Sequence, residues 1–188
     1  MDDDTPTART APHRIRIHGT SGSGKTTLAR EVAARTGLTR IELDEVFWDA
    51  GWTVKDAEVG LALLRARLAA AETTGWVADG NWQSTVGDVL DGADVVVCLD
   101  LPRHVVMWRV LTRTVVRGAT RRELWQGNRE TLRSLVRRDP EDNIVLWAWT
   151  TWRANHEAWA ELERAGHPGG PVVRLRSRRE VRAWLESL

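Results

Sequence analysis

A chain of 188 residues with 42% apolar content has enough material for one domain with a sizeable core. The formal charge of +1, with 15 glycines and 6 prolines, excludes a fibre, a largely disordered chain and generic nucleic-acid binding through bulk charge. The single cysteine, Cys98, lies in the apolar run Val95–Leu99, so an internal disulfide and a cysteine zinc site are excluded and a buried structural thiol is expected.

The start, MDDDTPTARTAPH, is polar rather than a signal sequence, and no apolar run approaches the ~18 residues of a membrane span. Residues 1–12 are therefore expected to be a disordered tail, residues 13–188 one domain, and the protein cytoplasmic without a membrane partner. Arg14 to His18 alternates as one strand does, and residues 25–36 place Leu28, Val32 and Ala33 at helical spacing. Between them Gly19-Thr-Ser-Gly-Ser-Gly-Lys25-Thr26 fits G-x-x-x-x-G-K-[ST] in the strand-to-helix context that this pattern needs. A Gly/Ser-rich linker is the alternative, but a linker would not be bracketed by a strand and a Leu/Val/Ala helix face.

Such a loop turns its backbone N–H groups onto a phosphate through φ values that a Cβ would penalise. Gly19, Ser21, Gly22, Ser23, Gly24 and Thr27 are the expected cradle. Lys25 can reach the β- and γ-phosphates of a nucleotide as a point charge, and Thr26 offers its hydroxyl to Mg²⁺.

Thr39 to Leu43 reads as a second strand, residues 55–73 as a helix carrying Leu61, Leu64 and Leu68, and Trp76-Val-Ala78 as a third strand ending at Asp79-Gly-Asn81-Trp82. Residues 84–92 read as a short helix, and Ala93–Leu99 as a strand buried on both faces that ends at Asp100. Residues 103–117 are helical, Gly118-Ala-Thr120 interrupts, and helical pattern resumes from about Glu123 to Arg138 before Asp139-Pro140 breaks the chain. Ile144 to Arg164 forms a long Trp-studded helix, Val172–Leu175 a last strand, and Ser177-Arg-Arg-Glu180 a capping box opening a final helix. Alternating strands and helices imply an α/β fold with a parallel sheet and ligands at the carboxyl ends of its strands.

That rule gathers the P-loop, Asp44, Asp79 and Asp100. Asp44 can accept an acceptor hydroxyl's proton, or cap the helix that follows it. Asp79 can hold Mg²⁺ through water, with Asn81 as a neutral donor and acceptor, or simply belong to a turn. Asp100 can serve the site or cap the next helix with Pro102 at its first position. Phe47, Trp48, Trp52 and Trp82 follow the same strand ends and read either as an aromatic acceptor pocket or as core. Most of Trp147, Trp149, Trp152 and Trp159 read as core.

Residues 103–138 carry Arg103, Arg109, Arg113, Arg117, Arg121, Arg122, Arg129, Arg133, Arg137 and Arg138 against only Glu123 and Glu130. Arg109, Arg113, Arg117 and Arg121 recur every four residues and form a slowly winding stripe. A solvated basic face and a nucleic-acid surface remain alternatives, but beside a P-loop the stripe reads as a phosphate-closing lid over about residues 113–140, hinged at Gly118 and Asp139-Pro140.

Together these pieces resemble the P-loop kinases of the adenylate kinase and shikimate kinase group, and most closely the topology modulation (adenylate kinase-related) proteins. The matching segments are Gly19–Thr26, Glu42-Leu-Asp44 with Trp48 and Trp52, Trp76 to Asn81, Val97 to Arg103, Arg109 with Arg113, Thr120-Arg121, and Arg153 in the Trp-rich helix. The resemblance implies a five-stranded parallel sheet, ATP with Mg²⁺ as donor, Asp44 at the acceptor hydroxyl, Glu42 as a metal-linked acid, Asp79 near the ion, Arg121 and Arg153 as lid arginines, and adenine packed near Arg176 and Arg178. Asn81-Trp82 stands where adenylate kinases have an aromatic, a proline and an arginine for the acceptor phosphate, so a hydroxyl acceptor is favoured over a nucleotide. The expectation is an ATP-dependent small-molecule kinase, monomeric or homodimeric, with Lys25, Asp44, Arg121 and Arg153 catalytic and Arg113, Arg117 and Arg178 on the donor. The rival is a nucleotide-gated regulator acting on DNA or a protein partner.

Overall fold

The computed structural model describes residues 12–121, 123–131, 136–140 and 143–188; residues 1–11 of the expected tail, Arg122 and Arg133 lie outside the described residues. Five parallel strands, β1 (Arg14–Gly19), β2 (Thr39–Glu42), β3 (Trp76–Asp79), β4 (Val95–Leu99) and β5 (Val172–Leu175), lie in the order β2-β3-β1-β4-β5. Helices α1 (Lys25–Thr36), α2 (Leu43–Phe47), α3 (Ala57–Ala70), α4 (Gln83–Val86), α5 (Arg103–Thr120), α6 (Ile144–Ala165) and α7 (Arg178–Glu186) connect and cover them. This is a mixed α/β arrangement around a parallel sheet, with β1 central and its carboxyl end running straight into the Gly-rich loop.

The period of two along β1 explains why both sheet faces are covered. Ile15 and Ile17 join Leu28, Val32, Val97 and Leu185 on one face, while Arg16 and His18 turn to the other, whose core holds Phe47, Leu64, Val86, Leu90 and Trp159. His18 is 6% exposed, and its Nδ1 lies 2.9 Å from Gln83 Nε2. Burial, with Arg16, Lys25 and His167 nearby, pushes its pKa down from 6.5 to about 3. The charged imidazole is thus disfavoured in the fold and accepted in the unfolded chain. Stability is therefore whole above about pH 6.5 and is lost as the pH falls toward 3, at about 1.4 kcal/mol per pH unit at most. Chemical denaturation between pH 7 and 4 should show this slope, and His18→Gln should flatten it; an unchanged slope would remove the assignment.

Several expectations need correction. The Gly118 segment does not interrupt its helix: α5 continues through it to Thr120 and stops at Arg121, whose φ is 47°. A glycine near a helix end costs about 1 kcal/mol relative to alanine, and the buried stripe Val106, Val110 and Thr114 offsets that. No break in the helix marks the hinge expected at Gly118.

The expected helix from Glu123 is not formed over residues 123–131, which make a 3₁₀ turn at Trp125–Gly127 and a bridge between Glu123 and Arg129. There the buried Asn128 donates from Nδ2 to Asp49 O and accepts at Oδ1 from Trp52 N, and these tertiary bonds hold the segment away from helical geometry. Residues 132–135 lie outside the described residues.

The second strand ends one residue earlier than expected, because Leu43 already opens α2. Among the four tryptophans of α6 only Trp159 enters the core; Trp147 and Trp149 are 39% and 50% exposed. They flank the buried Ala148, so the helical turn carries both away from the sheet. Cys98 is free and buried, and burial raises its pKa to about 12. The Ser177 box forms, with Ser177 Oγ accepting from Glu180 N and the Glu180 carboxylate accepting from Ser177 Oγ and Arg176 N. Among the described residues no helix is long and apolar enough to cross a membrane.

Candidate functional site

The site grows from the turn between β1 and α1. Gly22 and Gly24 hold φ of 85° and 106°, which L-residues rarely adopt, and Ser23 N donates to Thr20 O at 3.0 Å. Gly24 is the N-cap of α1, and among the described residues it brings no side-chain cap to that helix. The first-turn N–H groups of α1 are thus left for an anion from outside, at the positive end of the helix dipole. Gly19, Thr20 and Ser23 are buried, Ser21 and Gly22 are half-buried, and Thr27 is exposed one turn into the helix.

Gly22 also lets the loop approach α5. A Cβ there would come within 2.9 Å of Val110 Cβ and 3.0 Å of Val106 O, the second a backbone atom that has little room to move. Gly22→Ala combines this clash with an unfavourable φ, so we expect a loss of about 2 kcal/mol or more in thermal stability. A melting temperature within a degree of the parent would remove the close contact between loop and helix.

Lys25 folds back over the loop, its Nζ donating to Gly19 O at 2.6 Å and Thr20 O at 3.3 Å. Burial is the main reason its pKa falls to about 8; Asp44 and Asp79 oppose the fall and Arg113 adds to it. Thr26 Oγ1 donates to Asp79 Oδ2 at 2.7 Å. Asp79 is the last residue of β3 and is 1% exposed, and its Oδ1 has no hydrogen-bond partner. Burial raises its pKa to about 6, against the hydrogen bond from Thr26 and the charge of Arg40.

Thr26 spends its proton on Asp79 and keeps its lone pairs for a cation, while the orphaned Oδ1 remains to orient water. These groups fit Mg²⁺, which keeps several waters and shares a site with substrate phosphates rather than filling an all-protein cage. In keeping with that, the described residues hold no cluster of three or more His, Cys, Asp or Glu able to bind a metal by themselves.

Asp44 lies one residue inside α2, and the N-cap of that helix is Glu42, so Asp44 does not cap it. Its Oδ1 accepts from Trp82 Nε1 at 2.8 Å. Burial raises its pKa, opposed by the Trp82 bond and by Lys25. Around it stand aromatic rings: Trp82 stacks on Phe47 at 4.9 Å and meets Trp48 edge-on at 5.4 Å, Trp48 meets Trp52 at 5.6 Å, and Trp52 meets Trp125 at 6.3 Å. Phe47 is core, whereas Trp48 and Trp82 are half-buried, Trp52 is 37% exposed and Asn81 is exposed. The four tryptophans thus form a partly open wall beside Asp44.

The arginine stripe divides into separate roles. Arg109 Nη1 donates to Ser23 O at 2.8 Å. Arg113 leaves its Nε buried and without a partner; burial and Arg117 lower its pKa, while Glu130 and Asp44 act in the other direction. Arg117 pairs with Glu130 at 2.8 Å. Arg121 is exposed at the C-cap of α5, and the Arg153 side chain is 84% exposed and paired with Glu157 at 2.8 Å. The structure therefore brings Arg109 to the P-loop and Arg113 toward Asp44, and leaves Arg121 and Arg153 at the surface.

Arg178 and Arg109 flank a groove beside the P-loop, floored by Leu28, Leu99, Leu101 and Val181, shaped for a flat apolar group next to the phosphate cradle. Asp100 neither caps α5 nor joins the cradle. It is buried and paired with Arg174 Nη2 at 2.6 Å, with His156 Nδ1 3.0 Å away, because β5 brings Arg174 to its side.

Two contributors were missed in the sequence. Arg40 reaches both Glu42 and Asp79, and Asn128 ties the Trp125 turn to Trp52; Arg109 was placed in the stripe and in the resemblance but without its contact to Ser23. Only Arg40 had a readable signal, its position two residues before Glu42 on one strand face.

No protein-family model matches the chain, and no curated protein matches it. Solved structures similar to it include an unliganded sugar kinase from Janibacter sp. HTCC2649, with 22% identity, 94% of this chain and 92% of that chain covered, and a TM-score of 0.49. The deoxyadenosine kinase of M. mycoides with bound dCTP is 15% identical over 93% of this chain and 97% of that chain, with a TM-score of 0.48. The same kinase with bound dATP is 14% identical, with 93% and 98% covered and a TM-score of 0.49. Likeness at this level carries nothing about activity, and the site's own geometry must carry it.

Proposed function

We propose that the chain is an ATP-dependent kinase that phosphorylates a hydroxyl on a small molecule. The observation that carries this reading is the meeting of three groups at one sheet edge: the Gly-rich loop with Lys25, the Thr26–Asp79 pair, and a half-buried carboxylate, Asp44, within electrostatic reach of Lys25. Phosphoryl transfer asks for these parts and for little covalent chemistry from the protein. The loop N–H groups and Lys25 hold the β- and γ-phosphates, and the groove between Arg109 and Arg178 receives the base.

Asp44 orients the acceptor hydroxyl and takes its proton, with Trp82 fixing the carboxylate's angle. Trp48, Trp52 and Trp82 offer flat apolar faces, which suit an acceptor with a ring or a sugar face next to its hydroxyl. Arg113, with Arg117 behind it, faces the charge that develops between donor and acceptor. A magnesium ion held at Thr26, with Asp79 orienting its waters, would neutralise phosphate oxygens when bound.

The experiment is ADP release from ATP and Mg²⁺ by purified protein across nucleosides, nucleoside monophosphates, sugars, shikimate-like acids and amino-alcohols. An acceptor-dependent signal on hydroxyl compounds is expected. ATP binding with no acceptor dependence anywhere on the panel, together with salt-sensitive DNA retention, would instead support a nucleotide-gated regulator.

A further inference from the structure

Arg40 has no place in the phosphate cradle or the acceptor wall, yet it reaches the metal side of the site. It stands on β2 two residues before Glu42, so both side chains leave the same face, and Glu42 is the register partner of Asp79 on β3. Three charged groups therefore converge at the carboxyl edge. Arg40 Nη2 donates to Glu42 Oε2, and Arg40 Nε lies 3.6 Å from Asp79 Oδ1.

The second distance is too long for a hydrogen bond. Nε and Oδ1 are both buried, and neither has a hydrogen-bond partner among the described residues. The guanidinium thus balances the charge of Asp79 without hydrogen bonding to Oδ1, while Oδ2 accepts from Thr26. The side chains of Asp79, Glu42 and Arg40 are 1%, 9% and 22% exposed, so this balance operates where water screens it weakly.

We propose that Arg40 is the resident counter-cation of Glu42 and Asp79 and that it suppresses divalent-cation binding by the nucleotide-free protein, so that the ion enters with the phosphates of the nucleotide. Two carboxylates and a threonine hydroxyl would carry two negative charges to a divalent ion. With Arg40 beside them they carry one. The missing charge is supplied by the nucleotide's phosphates, and Arg40 thereby makes a metal-loaded, nucleotide-free state rare. The inference rests on the reading of Thr26 and Asp79 as the metal side of a phosphate site. It adds a positioning residue that sets the order of loading.

The probe is Mn²⁺, followed by the electron paramagnetic resonance signal of the free ion in titrations of nucleotide-free protein. The parent should bind weakly, and Arg40→Gln should bind at least about tenfold more tightly, since a unit charge has left the neighbourhood of the ligand oxygens. Arg40→Lys, which keeps the charge, should stay near the parent. With a non-hydrolysable ATP analogue present, the tenfold gap should narrow.

Equal or weaker Mn²⁺ binding by a folded Arg40→Gln protein would overturn the proposal. If that variant fails to fold, Arg40→Met, which keeps the packing of the stem, is read by the same criterion. Binding of the analogue alone, measured by calorimetry, separates the two layers of inference. If neither protein binds it, the phosphate reading fails. If both bind it but show the same nucleotide-free Mn²⁺ affinity, only the role of Arg40 fails.

Discussion

Replacing Lys25 by alanine should lower acceptor-dependent turnover by about 10³-fold or more while leaving the protein folded. The ammonium is a charge that the cradle itself contributes, folded back onto its own loop. Its contacts to Gly19 O and Thr20 O are bonds to its own loop, and nothing outside the loop depends on them. A phosphate entering the cradle offers Nζ stronger, charge-assisted partners than two carbonyls, so the side chain can turn outward without leaving a core void.

Burial holds its pKa near 8, with Asp44 and Asp79 opposing the fall and Arg113 adding to it, which marks the cost of keeping this charge in the loop. Removing it should therefore weaken ATP binding and slow transfer while altering thermal stability little. Turnover in Lys25→Ala within tenfold of the parent would detach the lysine from the reaction. Lys25→Arg should not restore the rate, because a planar fork cannot occupy the point position of an ammonium against the Gly19 turn.

Local chemistry made the P-loop legible. Three glycines, a lysine and a threonine between a strand and a helix have few other uses, and the structure realises the loop with the left-handed angles at Gly22 and Gly24. The parallel sheet was legible for a similar reason, since Val95–Leu99 and Ile15 with Ile17 announce strands covered on both faces.

What the sequence concealed were interactions between distant residues. The stripe of arginines predicted one lid, but Arg109 and Arg117 were drawn apart by partners, Ser23 and Glu130, that no periodicity displays. Residues 123–131 carry helical pattern, yet Asn128 is drawn to Trp52 and Asp49, about eighty positions earlier, and those bonds override local preference. Asp100 was misread for the same reason, as its partner Arg174 lies seventy-four residues on.

Asp44→Asn should lower kcat by about 10²-fold or more with a small change in KM, because the amide keeps the shape and can still accept from Trp82 but cannot take a proton. The same substitution should make the protein more stable at neutral pH. Burial raises the Asp44 pKa above that of the unfolded chain, so the fold carries a penalty for the ionised carboxylate that is fully present above the raised pKa and relieved as pH falls through it. Asparagine removes the penalty at every pH. Thermal melts at pH 7 should show a higher midpoint for the variant, and the difference should shrink on acidification. In the parent, the acid limb of kcat/KM should lie above the ordinary carboxylate range and vanish in the variant. A structural carboxylate would give the stability gain without the kinetic loss, and a merely damaged fold would give the kinetic loss without the gain. The two readouts moving in opposite directions are what identify Asp44 as a group held in a costly state for its chemistry.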